Sequence, residues 1–348
     1  MSTYSIVKTA FVAITAAVAL SSCTSQKPAD EPVSKRDRIL QVLDQSKPNE
    51  YVPAAFFLHF PDKLGDKAVQ EHIEFFKATN MDIVKIQFEQ VLPQNVSTPE
   101  GLDSIPVYDE DFWAPQIEVI RKISAELHDS ALVFPTVYSP VALLRQAYGY
   151  DKGAEDFIAL LQVDRARTER ALANVEKSIE NYISAAKKNG ADGFYVSSQG
   201  GDTMNLGQTD LWETIFRRYD KRVSEFADSI AEINILHICD YGSSYVELDS
   251  FNDYPASIIN PPIHLENGEV DLKHIAEVFG RPVFGGLDRL GVIANGTIEE
   301  AKAAVDEVLA NAPANFILGA DCTVPSETDY ARLREIIDYA HTWRQNHK

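Results

Sequence analysis

The order of segments constrains this chain more than any single motif. Eight short stretches rich in β-branched and aromatic residues, centred near 54, 84, 134, 195, 236, 258, 284 and 317, are mostly separated by longer stretches with helical spacing of apolar residues. In "KAVQEHIEFFKATN", Val69, Ile73, Phe75 and Phe76 gather on one face. The long helical run from 165 onward closes at Gly190, the residue type expected just past a last turn. Thr297 and Ser326 read as openings of the last two helices. Strands alternating with helices imply a parallel sheet, and eight repeats in about 300 residues imply a (β/α)8 barrel. An open doubly wound sheet is the alternative, but no Gly-x-Gly-x-x-Gly follows the first strand. With 45% hydrophobic residues, the chain can fill such a core from 38 to 348 as one α/β domain.

The first residues read as a targeting segment. Lys8 is the sole charge before Cys23, and "AFVAITAAVAL" is apolar, small and short for a bilayer span. "LSSC" then has the form of a lipobox, which ends at the cysteine that is acylated and becomes the mature N-terminus. The expected organisation is a lipoprotein signal peptide over 1–22, acylated Cys23 with a polar, proline-containing tether over 23–37, and the barrel beyond. A lipid on Cys23 would hold the protein at a membrane of a bacterial envelope without a spanning helix. Thr24 after it favours the outer membrane, on a side the sequence leaves open. The formal charge of -20 argues against a nucleic-acid partner, and no basic patch with interleaved aromatics offsets it.

Three cysteines are present, and with Cys23 assigned to anchoring, Cys239 and Cys322 remain. In "ILHICDYG", His237 and Cys239 are two apart in a strand-like run, so both side chains face one way. Cys322 lies just beyond the eighth strand. In a barrel these strand ends open on one face, where active sites are built. One imidazole and two thiolates suit Zn2+ and leave a fourth position open for a substrate thiol. The same two cysteines in an exported protein also suit a disulfide, and a strand histidine also suits a packed core.

"ILHICDYG", "VFGGLDRLGVIANGTIEEAKAAVDEVL" and "FILGADCTVPSETDYARLREIIDYAH" resemble the uroporphyrinogen decarboxylase superfamily, and within it the zinc-dependent methylcobamide:coenzyme M methyltransferases. "GFYVSSQGGD" and "WETIFRRYDKRVSEF" are similar to the middle of that family. The likeness runs over roughly 38–345 and is most specific in the C-terminal half. It implies a (β/α)8 barrel, and it maps the zinc ligands of the methyltransferase branch onto His237, Cys239 and Cys322. Dimers are common in that family, so a homodimer is among the expectations. The tetrapyrrole decarboxylases carry two arginines after the first strand; Leu58 and Asp62 fall there instead. The nearest acid to their catalytic aspartate is Glu89.

Asp288, after Gly285 and Gly286, reads either as an acid/base or ligand-orienting group or as a turn residue. His59 and Gln199 end the first and fourth strands and are candidates for substrate contact, with Gly285 and Gly286. Lys85 and Gln87 share the face of Glu89, and Arg145, Arg281 and Arg289 are cations for an anionic substrate. His264 and His274 read as loop and surface residues. Neither a Gly-x-Ser-x-Gly elbow nor a phosphate loop is present. The expected function is zinc-assisted methyl transfer to or from a thiol, with a corrinoid or another methylated compound as donor. The alternatives are decarboxylation of a tetrapyrrole or other polycarboxylate with Glu89 as the acid, and non-catalytic binding of a corrinoid or porphyrin.

Overall fold

A computed structural model describes residues 33–46, 50–94, 96–240 and 243–347. The expected signal peptide, Cys23 and nearly all of the tether lie outside the described residues. Helices α1 (Lys35–Leu43) and α2 (Gly65–Thr79) precede strand β1 (Ile83–Ile86). Then come α3 (Pro99–Asp103), α4 (Glu110–Leu127) and β2 (Leu132–Tyr138). Next are α5 (Pro140–Tyr148), α6 (Ala154–Val163), α7 (Arg165–Lys188) and β3 (Phe194–Ser198). A π-helical turn (Trp212–Phe216) runs into α8 (Arg217–Ile230), followed by β4 (Asn234–Ile238) and β5 (Ile258–Asn260). A small hairpin, β6 (His264–Leu265) and β7 (Gly268–Glu269), leads to α9 (Leu272–Phe279) and β8 (Val283–Leu287). The described chain ends with α10 (Val292–Asn295), α11 (Ile298–Asn311), β9 (Phe316–Ala320) and α12 (Tyr330–Asn346).

Seven parallel strands form one sheet in the order β1-β2-β3-β4-β5-β8-β9. The segment near 54 fills the eighth position through a parallel bridge, Ala54 to Leu318 on β9. Ala55 N donates to Leu318 O at 3.0 Å, and on the other side Asp82 N donates to Ala54 O at 2.9 Å, so this segment links β9 back to β1. The fold is therefore a TIM-type α/β barrel whose first strand is reduced to a bridge. Every residue of β1, β3, β4, β5 and β9 is buried, which is why these strands read as apolar runs without alternation.

Helix α1 lies across the N-terminal end of the barrel. Arg36 N donates to Ser130 O, Arg36 Nη2 meets Asp192 Oδ1 at 2.6 Å, and Asn315 Nδ2 donates to Val42 O at 2.7 Å. Ser130, Asp192 and Asn315 lie one or two residues before the starts of β2, β3 and β9. The opposite end is left for the cavity.

The helix termini match expectation in part. Thr297 forms a reciprocal capping box with Glu300 ahead of α11. Gly190 has φ +101°, a conformation that a side chain would strain. Ser326, however, does not open the last helix: Asp329 does, accepting from Ala331 N at 3.0 Å. Among the described residues, no helix is long and apolar enough to cross a membrane.

Candidate metal centre and cavity

His237 and Cys239 leave the C-terminal end of β4 on the same face, and Cys322 follows β9. Their ligand atoms all lie within 4.8 Å of one another. The two sulfurs are 4.0 Å apart and are not joined in a disulfide. Two thiolates on a tetrahedral zinc, each about 2.3 Å from the metal, are separated by about 3.8 Å. The pair is thus spaced as zinc ligands are, and too far apart for a disulfide as it stands.

The histidine is prepared for the same role. Its Nδ1 donates to Asn260 O at 3.2 Å, which fixes the tautomer, while the buried Nε2 has no partner among the described residues. Tyr195 packs against the ring at a centroid distance of 5.1 Å. Asn260, at the end of β5, organises this floor. It accepts from Tyr195 Oη and donates through Nδ2 to Phe284 O at 2.8 Å and Ala320 O at 3.3 Å. A Cβ on Gly285 would come 3.0 Å from Asn260 Nδ2, so this glycine makes room for the amide.

Each cysteine adjoins an aspartate, and one arginine joins the two. Arg289 Nη1 lies 3.0 Å from Asp240 Oδ1 and 2.9 Å from Asp321 Oδ2, and its backbone N donates to Asp321 Oδ1 at 2.8 Å. The bonded thiol of Cys239 holds the Cys322 thiol well below its ordinary range, against burial; His237 and Arg289 add to the effect. Burial lifts the Asp321 carboxyl to about 6, with Arg289 opposing.

These groups form one wall of a cavity of about 250 Å³. Lys85 lines it from inside the barrel, buried, with Nζ bonded to Gln87 Oε1 at 2.8 Å and set over the Phe57 and Tyr195 rings. Burial lowers its pKa to about 8, opposed by the charges of Cys322, Cys239 and Glu89. Near the mouth, Glu89 Oε1 meets His59 Nδ1 at 2.8 Å and Lys63 Nζ at 3.3 Å. Burial would raise the Glu89 carboxyl, but these two partners outweigh it and hold the group below the usual range. Gln199 reaches Ser197 Oγ at 3.3 Å and lines the same space. A second lobe of about 250 Å³, walled by Val141, Phe157, Ile158 and Leu206, shares Tyr150, Gln199 and Cys239 with the first.

Of the residues singled out in the sequence, His59, Glu89, Gln199, His237, Cys239 and Cys322 thus share one cavity. Asp288 and Gly286 do not: they line a separate groove with exposed His264. Asp288 Oδ1 accepts from Leu290 N at 2.8 Å, so of its two readings the observed bond is that of a turn residue. Arg145 and Arg281 are spent on loop carbonyls: Arg145 on Gly149 and Tyr150, Arg281 on Tyr254 and Asn252. Exposed His274 lies on α9. Asn260, Tyr195 and Gln146 were not singled out from the sequence, nor were Asp240 and Asp321. The aspartates had a signal, Cys-Asp in "HICDYG" and Asp-Cys in "GADC".

Known proteins give a consistent context. The family model described as uroporphyrinogen decarboxylase (URO-D) matches residues 79–343. A methyltransferase from Methanosarcina mazei is similar in structure, with TM-score 0.71 and 15% identity over 90% of this chain and 99% of that one. A B12-independent methionine synthase from Shewanella sp. W3-18-1, solved with selenomethionine, gives TM-score 0.52 and 13% identity over 86% and 95% of the two chains. No curated protein matches the sequence.

Proposed function

We propose, from the premise that the chain belongs to the uroporphyrinogen decarboxylase family, that it is a zinc-dependent thiol methyltransferase held at a bacterial envelope membrane through Cys23. One observation carries the reading. A buried imidazole nitrogen with no hydrogen-bond partner among the described residues faces two thiols at tetrahedral-edge spacing, at the barrel end where such folds place chemistry. The donor set fits zinc: His237, Cys239 and Cys322 would hold it, with the fourth position toward the cavity. Bound there, zinc would keep a substrate thiol ionised at neutral pH. The protein's own part is orientation. Asn260 aims the imidazole, and the Asp240–Arg289–Asp321 tie fixes the two strand ends that carry the sulfurs. The burial of His237 and Cys239 keeps bulk water from the ligand atoms. The fold-level likeness to a methyltransferase agrees with this reading without carrying it.

The cavity limits the reactants. Each lobe, at about 250 Å³, falls below the ~300–1,000 Å³ of pockets that enclose drug-sized ligands, so neither encloses a tetrapyrrole. A corrinoid donor would present its methyl group at the mouth, and a smaller methylated compound would enter. Decarboxylation of a uroporphyrinogen-like polyanion has less support. Leu58 is buried, Asp62 is partly exposed, and Glu89 is engaged by His59 and Lys63. The deciding experiment measures metal and free thiols in mature protein made in a reducing and in an oxidising compartment. About one zinc per chain, lost in Cys239→Ala and in Cys322→Ala, is expected. Metal-free protein from both, with the two thiols oxidised together in the second, would overturn the reading and leave a binding protein.

A further inference from the structure

Two buried polar groups in the cavity beside the His237–Cys239–Cys322 set are left with hydrogen-bonding capacity unused among the described residues. Lys85 is 8% exposed, and among the described residues its ammonium has one hydrogen-bond acceptor, Gln87. An ammonium carries three donors, and a buried cation without an anion is costly. No carboxylate lies within ion-pair distance of Lys85 among the described residues. Gln146, on α5, is 5% exposed, and its Oε1 is buried without a partner. Both side chains line the space that also holds His237, Cys239 and Cys322.

A buried donor and a buried acceptor left unsatisfied in a ligand cavity describe the ligand by complement. Lys85 calls for an acid group. Gln146 Oε1 calls for an N–H or O–H. The metal ligands call for a thiol. A cavity of about 250 Å³ limits all three to one small molecule.

We propose that the thiol substrate is a small amino-acid thiol, its carboxylate paired with Lys85, its ammonium donating to Gln146, and its sulfur directed to the His237–Cys239–Cys322 set. The inference rests on the metal–thiol reading and goes beyond it by naming the substrate class. It also gives the desolvated lysine a purpose: the carboxylate would arrive where the cation already stands, so the pair forms without reorganisation. A thiol lacking either charged group leaves a buried partner unsatisfied, and such sites discriminate strongly against the incomplete analogue.

The test is a binding panel on zinc-loaded full-length protein, followed by calorimetry: 2-mercaptoethanol (neutral), 3-mercaptopropionate (acid only), cysteamine (amine only) and L-homocysteine (both). Homocysteine is expected to bind at least about tenfold tighter than either singly charged thiol and about a hundredfold tighter than the neutral one. Lys85→Met should erase the gain from the acid and Gln146→Leu the gain from the amine. Neither should change zinc content or the affinity for 2-mercaptoethanol, which serves as the control for folding. Equal affinity across the panel would overturn the proposal on the wild-type protein alone. So would a Lys85→Met variant that weakens all four thiols alike, which would make the lysine a general countercharge to the sulfurs. Failure to take up zinc at all, seen before any thiol is added, would instead remove the metal–thiol reading beneath it.

Discussion

Asp240 and Asp321, the immediate neighbours of Cys239 and Cys322, share the guanidinium of Arg289 at 3.0 and 2.9 Å. The contact joins the ends of β4 and β9 through a residue after β8, and so sets the separation of two cysteines 83 positions apart. Arg289→Met should therefore lower zinc affinity about 10–100-fold, as loss of a partner behind a metal ligand does. Chelator competition reads this directly. Because Asp240 and Asp321 are buried, the variant also leaves two carboxylates without their cation, and a drop in Tm should accompany the weaker binding. Unchanged zinc affinity with a lower Tm would make the tie structural only.

Asn260 is the second organising residue. Replacing it with Leu leaves Tyr195 Oη, Phe284 O and Ala320 O without the partners they now have, inside a packed barrel. At about 1–3 kcal/mol for each buried group left unsatisfied, a loss of several kcal/mol is expected. Urea unfolding of the metal-free protein measures it. Asn260→Asp should be no milder at neutral pH: it keeps the oxygen that accepts from Tyr195 but turns a second oxygen, in place of the donor, toward Phe284 O and Ala320 O in a buried site.

The strands were legible because each buried parallel strand writes its own apolar run, as "INILHIC" and "NFILGADC" do. His237 and Cys239 follow from the two-residue period of a strand, and Cys322 from its place past another. Gln146 was not legible because α5 was not read as a helix. Its start signal, Ser139 as N-cap with Pro140 in the first turn, merges with the strand before it. Asp288 was open to misassignment for a related reason. Its position after β8 is local information, but that it faces a groove shared with α9 and α11, and not the cavity of His237, depends on tertiary placement. Asn260 read as a strand end, and nothing local says that four strands meet on its side chain and carbonyl.

Lys85 sets a pH dependence of stability. Burial lowers its pKa from 10.5 to about 8, so between those values the unfolded chain holds a proton that the native one has released. This group's contribution therefore destabilises the native state below about 8 and is relieved as pH rises toward 10.5. In the metal-free protein, Lys85→Met should be more stable than wild type at pH 7, by an amount on the order of 3 kcal/mol, and the difference should shrink across pH 8–10.5. Denaturant midpoints at pH 7 and above 10 measure it. A difference independent of pH would show that the gain comes from apolar packing and not from removal of the charge.

The lipid anchor proposed on Cys23 can be tested apart from the chemistry. Ser34 caps α1, and α1 lies across the end of the barrel opposite the cavity. Cys23→Ala is expected to move the protein from the membrane to the soluble fraction without altering zinc content or thiol affinity. Globomycin-sensitive processing of the wild-type chain, with mass spectrometry of its mature N-terminus, identifies the modification itself. A Cys23→Ala protein still retained with the membrane, with an unmodified N-terminus in the wild type, would remove the lipoprotein proposal and leave the barrel's site as it stands.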